Sequence, residues 1–420
     1  MNEPPAPVGS DTGGSEWDLV GGAAPPTLGR LALYFLRLGA TGFGGPVALA
    51  NSMRRDLVEE RRWISEPEYE DGLAIAAACP GPLAYQLAVY CGYIRNGIVG
   101  GLAVAVAFAF VPFLLVVSAG WAYTRWSDSW QLRALFYGVG PVVVALIVKA
   151  CWNLGKKTLR RDRLAWVFFL VAFGVTVVIQ KELVALFVVA GILGALVFAK
   201  PAIGSPPDSA PPRTPPVSPS SLPGASLLAL APVSIPVAMV PMKLFLFFFK
   251  TGLLVFGSGL VIVPFLKTYL VDQYHWLDHR QFLDAVAIGM ISPGPVVISA
   301  TFVGYLLAGV SGAAAASVGI FAPSVIFTVA LTPLFLRYRG ARRLDGFVRG
   351  VTVAVVGVLA GTTGLVAESA IGDAMTIGIG IAALTTAFAW KKVPDPVLVF
   401  LGAAAGLLVY PILRPDWLLK

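Results

Sequence analysis

Residues 36–82 read LRLGATGFGGPVALANSMRRDLVEERRWISEPEYEDGLAIAAACPGP, and residues 249–295 read FKTGLLVFGSGLVIVPFLKTYLVDQYHWLDHRQFLDAVAIGMISPGP. Laid over each other without a gap, at an offset of 213, they are identical at 12 of 47 positions, where chance would give roughly four. The matched residues are Gly39, Phe43, Gly44, Leu57, Val58, Trp63, Asp71, Ala74, Ile75, Pro80, Gly81 and Pro82, with partners from Gly252 to Pro295. Arg37 meets Lys250, and Arg54 meets Lys267. Helix-start chemistry repeats as well: Ser65 with Glu68, and Asp278 with Gln281, both fit a capping residue followed three later by its reciprocal partner. The chain is an internal duplication.

Around this pair of stretches the sequence is 57% apolar and 13% charged, about half the charge of a soluble domain. Long runs such as Gly97–Val117 and Leu164–Ile179, both uncharged, and Val393–Ile412, whose one charge is Asp395 near its start, approach the roughly 20 residues that a helix needs to cross hydrocarbon. The fold class expected is an all-α polytopic membrane protein of about 10 to 13 transmembrane segments, with no alternating ten-residue pattern of a β-barrel. The net charge of +8 comes from basic residues in short loops, where cytoplasmic retention explains them without nucleic acid. Residues 1–28 read as a disordered tail without a basic leader. Residues 29–199 and 243–413 form the two repeats, 414–420 a second tail, and 200–242 a Pro/Ser-rich linker in which Leu227–Pro241 is open to crossing or not. Cys79, Cys91 and Cys151 have neither disulfide-framework nor zinc spacing and read as packing residues.

Basic-loop counting bears on how the halves are oriented. The loop at 51–68 holds Arg54, Arg55, Arg61 and Arg62, and the loop at 149–163 is also basic, so both belong inside. Both reach one face only if an intervening segment fails to cross. Residues 70–95, broken by Pro80-Gly81-Pro82, are the natural re-entrant hairpin. In the second half the basic loop is 337–349, which places 267–281 outside. The two repeats are then inverted.

Four constellations offer chemistry. Phe43-Gly44-Gly45-Pro46 and Phe256-Gly257-Ser258-Gly259 sit inside apolar segments. They read either as unwound stretches whose freed amides face an anion or as small residues for close helix packing. Pro80-Gly81-Pro82 and Pro293-Gly294-Pro295 must break a helix, as a binding loop or as a hairpin tip, with Cys79, Gln86, Ser292 and Ser299 as nearby neutral groups for an oxyanion. Arg37 and Lys250 lie in apolar helices and read either as snorkelling side chains or as two midplane cations for a divalent anion. Asp71 and Asp284 fit a neutralising or proton-coupling role, or that of first-turn acids favoured by the helix dipole. His275 and His279 stand four apart but fall in a polar loop, so no metal site is assigned, and Trp63 and Trp276 read as interfacial anchors. No phosphate-binding loop, serine elbow or zinc-protease motif is present, which disfavours ATP-driven pumping and a lipid-acting enzyme.

At these residues the chain resembles the chromate ion transporter family, in its long, two-domain form. Phe35-Leu36-Arg37-Leu38-Gly39 running into Gly42-Phe43-Gly44-Gly45-Pro46, then Arg61-Arg62-Trp63 and Pro80-Gly81-Pro82, carry the resemblance, together with the second copy through Phe256-Gly257 and Pro293-Gly294-Pro295. The resemblance implies secondary active efflux of chromate, with sulfate as the look-alike ion, across a bacterial cytoplasmic membrane, giving chromate resistance. A channel or exchanger for another small anion is the alternative. No cofactor is implied. The expected partners are the oxyanion and the lipid bilayer, and a homodimer is left open.

Overall fold

The computed structural model describes residues 26–43, 45–126, 129–159, 162–179, 183–198, 240–257, 259–337, 342–390 and 393–413. The expected tails and linker, with Leu227–Pro241, lie outside these residues except at their edges. The first half runs α1 (Leu28–Thr41), α2 (Gly45–Arg54), a π-helical turn Arg55–Glu60, α3 (Glu66–Ala78), α4 (Leu83–Trp126), α5 (Trp130–Thr158), α6 (Arg163–Ile179) and α7 (Leu183–Val197). The second runs α8 (Val240–Gly252), α9 (Ile262–Phe265), a π-helical turn Leu266–Gln273, α10 (His279–Ile291), α11 (Ser299–Arg337), α12 (Arg342–Ala370), α13 (Ala374–Ala389) and α14 (Asp395–Leu413).

The duplication is visible in the backbone even where the residues differ. Both capping boxes form, at Ser65–Glu68 and at Asp278–Gln281. The matched residues Arg62 and His275 share a positive φ of 51°. α4 and α11 each fold back on themselves, at Asn96–Gly97 and at Ala308–Gly309. As a result Tyr85 reaches the Ala105 carbonyl at 3.2 Å, and Thr301 meets Ser317 at 2.6 Å. The antiparallel arms of each helix thus pack face to face.

α3 and the first arm of α4 form a helical hairpin on either side of the Pro80-Gly81-Pro82 break. Gly72 lies against the Tyr90 ring, with no room for a methyl group. At the open end, Arg95 donates to the Trp63 carbonyl at 2.6 Å and pairs with Glu68 at 2.5 Å, so the chain enters and leaves at one level. α10 starts elsewhere. Its Asp284, six residues past the cap at Asp278, accepts from Tyr123 at 2.7 Å, near the end of α4 remote from Asn96–Gly97.

The remaining helices interleave between halves. α5 packs on α13 and α14, and its counterpart α12 packs on α6 and α7. Small residues permit this approach: Gly138 sits against Gly402 and Gly406, and Gly194 against Gly346 and Gly350, backbone to backbone. Two equivalent polar ties close the weave, Tyr137 to Asp373 at 2.6 Å and Arg349 to Asp162 at 2.8 Å. The second of these, with Lys149 to Asp395 at 2.8 Å, gathers the segments near 162, 349 and 395 toward the end of α5 remote from Tyr137.

Among the described residues, four helices are long and apolar enough to cross a membrane: Leu83–Trp126, Trp130–Thr158, Val296–Phe335 and Gly346–Glu368. Shorter apolar helices accompany them. Large apolar side chains face outward, among them Val178 at 82% exposure and Leu408 at 72%, a surface suited to lipid rather than to water.

Candidate functional site

Local rules fix each break. A proline removes a donor and clashes one turn back, so α3 stops at Ala78 and α10 at Ile291. Between the prolines, Gly81 has φ 141° and Gly294 φ 85°, a region that side chains other than glycine's occupy at a cost. Neither break is satisfied within its own half. The Gly81 amide donates to the Val255 carbonyl at 2.5 Å, and the Gly294 amide donates to the Gly42 carbonyl at 2.9 Å. Under the 213-residue offset these are the same bond made twice, each half's Pro-Gly-Pro tip crossing to the other half's Phe-Gly stretch. Gly81 and Pro82 pair in parallel with Phe256 and Gly257 as two-residue strands. A sheet edge inside a helical bundle is tolerated because each strand satisfies the other.

Two helices begin at this crossing. α4 starts at Leu83, directly after Pro82, and α11 starts at Ser299 after a 3-10 turn, Val296–Ile298. The first amides of each lack partners within their helix. Around them lie buried neutral groups. Gln86, 0% exposed, donates through Nε2 to the Pro80 carbonyl at 2.6 Å, while its Oε1 has no partner. Ser299, at the matched position, is 1% exposed with an unpaired hydroxyl. Ser324 of α11 is buried with an unpaired Oγ, which lies 2.3 Å from where a Cβ on Gly81 would sit. Ser292 bonds the Pro293 carbonyl at 3.2 Å.

Of the residues expected from sequence, Pro80, Gly81, Pro82, Gln86, Phe256 and Gly257 come together at the first crossing, and Pro293, Gly294 and Pro295 at the second, with Ser299 close by. Gly259 is buried against Val296 and Val297. Gly45 and Pro46 begin α2, and Phe43 is 46% exposed. Gly44 and Ser258 lie outside the described residues. Arg37 and Lys250, read either as snorkelling side chains or as midplane cations, are both exposed. Lys250 stands in the last turn of α8, a favourable position for a cation, whereas Arg37 lies earlier in α1. Asp284 is 0% exposed, held by Tyr123 and with Arg280 at 3.8 Å, while its Oδ1 is unpaired. Asp71 is half-buried. Sequence reading missed Ser324, Thr328 and Tyr123. The signal for the first two was present as hydroxyls four apart in an apolar helix.

The architecture defines a duplicated, multi-pass helical membrane protein whose halves share one buried, interrupted centre. Comparison with known proteins gives the family. A sequence profile described as Chromate transporter matches residues 29–195 and again 242–407, so the chain belongs to the chromate transporter family. It is 41% identical over 397 residues to the chromate transport protein of Cupriavidus metallidurans, covering 92% of this chain and 94% of that one. It is 41% identical over 392 residues to a probable chromate transport protein of Synechococcus elongatus, covering 91% and 96%. With the chromate transport protein of Pseudomonas aeruginosa it shares 33% over 414 residues, covering 93% and 94%. No solved structure matches the chain.

Proposed function

We propose that this protein is a secondary active transporter that exports chromate, or a sulfate-like oxyanion, across a bacterial cytoplasmic membrane and thereby confers chromate resistance. The observation that carries the reading is the reciprocal crossing of the breaks, Gly81 to Val255 and Gly294 to Gly42. It brings two helix beginnings and unpaired neutral polar atoms to one buried place. Helix N-termini carry about half a positive charge each, and their free backbone N–H groups bind anions directly, without a fixed cation. In this reading the oxyanion sits between the Phe43-Gly44-Gly45-Pro46 and Phe256-Gly257-Ser258-Gly259 stretches and the two Pro-Gly-Pro tips. Gln86, Ser292 and Ser299 supply hydrogen bonds, and the exposed Arg37 and Lys250 raise the potential along the approach.

The halves act as an inverted pair. α3 begins beside the Asn96–Gly97 turn and α10 begins near the opposite end of α4's second arm, as the Arg95–Glu68 and Tyr123–Asp284 contacts support. Two re-entrant hairpins thus reach the centre from opposite faces, which suits alternating access around a fixed site. Asp284, and to a lesser degree Asp71, carries the coupling proton. The test is labelled chromate uptake into inside-out vesicles with and without an imposed pH gradient. Accumulation above equilibrium that collapses with the gradient supports the reading. Flux that only equilibrates indicates a channel, and no flux at all refutes chromate as cargo.

A further inference from the structure

α11 carries a row of buried hydroxyls that its counterpart α4 lacks. Ser324, Thr328 and Thr332 stand four residues apart, hence on one helix face, with about 6 Å of rise between neighbours. All three are 0% exposed. A hydroxyl in an apolar helix ordinarily bonds the carbonyl four residues back, as Thr332 does to Thr328 at 2.5 Å and Ser317 to Ala313 at 2.8 Å. Ser324 and Thr328 do not: each keeps a buried oxygen with no partner. An unpaired buried hydroxyl is destabilising, so two in succession on one face are a cost that packing does not explain.

The row starts at the first crossing. Ser324 Oγ and the Gln86 side-chain amide are the nearest atoms to the position of a Cβ on Gly81, and Gln86 Oε1 is itself unpaired. From there the row runs toward the C-terminal end of α11, and the next helix, α12, leaves that end carrying Arg349, which is tied to Asp162. In α4 the equivalent register, set by the matched turns at Gly97 and Gly309, is occupied by Pro112, Val116 and Gly120, all buried. Tyr305 closes directly over Gly120.

We propose that Ser324 and Thr328 are oxyanion-binding residues that line a half-pathway from the crossed breaks to the basic-loop face, while Pro112, Val116 and Gly120 form an apolar seal on the opposite half-pathway. This rests on the oxyanion-transporter reading above and adds the residues and side of entry. Each hydroxyl offers a freely rotating donor to an oxyanion oxygen. Gln86 Oε1 offers an acceptor to water or to a protonated oxygen in the ion's shell. Because the polar lining is confined to one side, the ion is held on the basic face until the apolar side opens.

The test has two arms in full-length protein. In proteoliposomes supplied with labelled chromate or labelled sulfate, Thr328→Val and Ser324→Ala are expected to raise KM about tenfold, the equivalent of losing one hydrogen bond to a charged group. Folding is expected to be unharmed or improved, since an orphan hydroxyl has gone, and Thr328→Ser should restore KM. The second arm does not depend on the cargo. In a background carrying Cys79→Ser, Cys91→Ala and Cys151→Ala, Ser324→Cys and Thr328→Cys are expected to react with a membrane-impermeant methanethiosulfonate added at the basic-loop face, and Val116→Cys to resist it. Wild-type KM in both hydroxyl variants, or equal labelling at 116 and 328, overturns the proposal. If the unaltered protein moves neither anion, the transporter reading fails, and the labelling arm still decides whether the half-pathway exists.

Discussion

At the first break Gln86 ties the Pro80 carbonyl from within the returning helix. At the second, Ser299 occupies the same register with its hydroxyl unpaired, and Ser292, ahead of the break, bonds Pro293 instead. The acids diverge in the same way: Asp71 is half-buried, whereas Asp284 is fully enclosed beside Tyr123. Duplication has thus preserved the backbone crossing and let the side chains specialise. In the cycle proposed above, such a symmetric frame would offer two related conformations, and the unlike side chains would make the two differ in how they hold ion and proton.

The comparison is tested first at its most rigid point. Gly81→Ala would place a methyl 2.3 Å from Ser324 Oγ at φ 141°, whereas Gly294→Ala meets Pro112 at 3.0 Å at φ 85°. Both are expected to destabilise by about 1–3 kcal/mol, Gly81→Ala by more. Thermal unfolding in detergent measures this, and the reverse order would mean that the second crossing is the more constrained. Next comes the acid pair. Asp284→Asn is expected to lower gradient-driven uptake about tenfold, the equivalent of roughly 1.4 kcal/mol, and Asp71→Asn to lower it far less. Equal losses would remove the asymmetry.

Gln86→Leu leaves the Pro80 carbonyl without its donor and is expected to cost about 1–3 kcal/mol. Ser299→Ala removes a hydroxyl that has no partner and should leave unfolding unchanged while weakening uptake. A salt-dependent effect is expected at the exposed cations. Arg37→Ala and Lys250→Ala should raise KM about three- to tenfold, a difference that shrinks as salt screens the approach. A salt-independent loss would place these cations in contact with the ion.

Much of this frame was legible in the sequence because its causes are local. Proline chemistry sets the two breaks, reciprocal capping sets the starts of α3 and α10, and the 213-residue offset relates them. The crossing was not legible, since the bond from Gly81 to Val255 depends on how two distant hairpins meet. Nor was the interleaving of α5 and α12 with the opposite half's helices, which rests on glycine faces that look alike throughout the chain. Sequence alone leaves Arg37 and Lys250 open between snorkelling and a midplane role because their neighbours are apolar; in the fold both are exposed, and the unpaired polar atoms at the breaks belong to the neutral Gln86, Ser299 and Ser324. Ser324 and Thr328 went unnoticed because a hydroxyl in an apolar helix ordinarily bonds its own backbone, and only the structure shows that these two do not.

The opposed entry of the two hairpins is tested most directly by sidedness. Glu60 and Gln273 are matched positions, both exposed, in the loops that precede α3 and α10. With cysteine at either site, an impermeant thiol reagent should label Glu60→Cys only in inside-out vesicles and Gln273→Cys only in right-side-out ones. Labelling of both from the same face would contradict the inverted pair and the shared central site built on it.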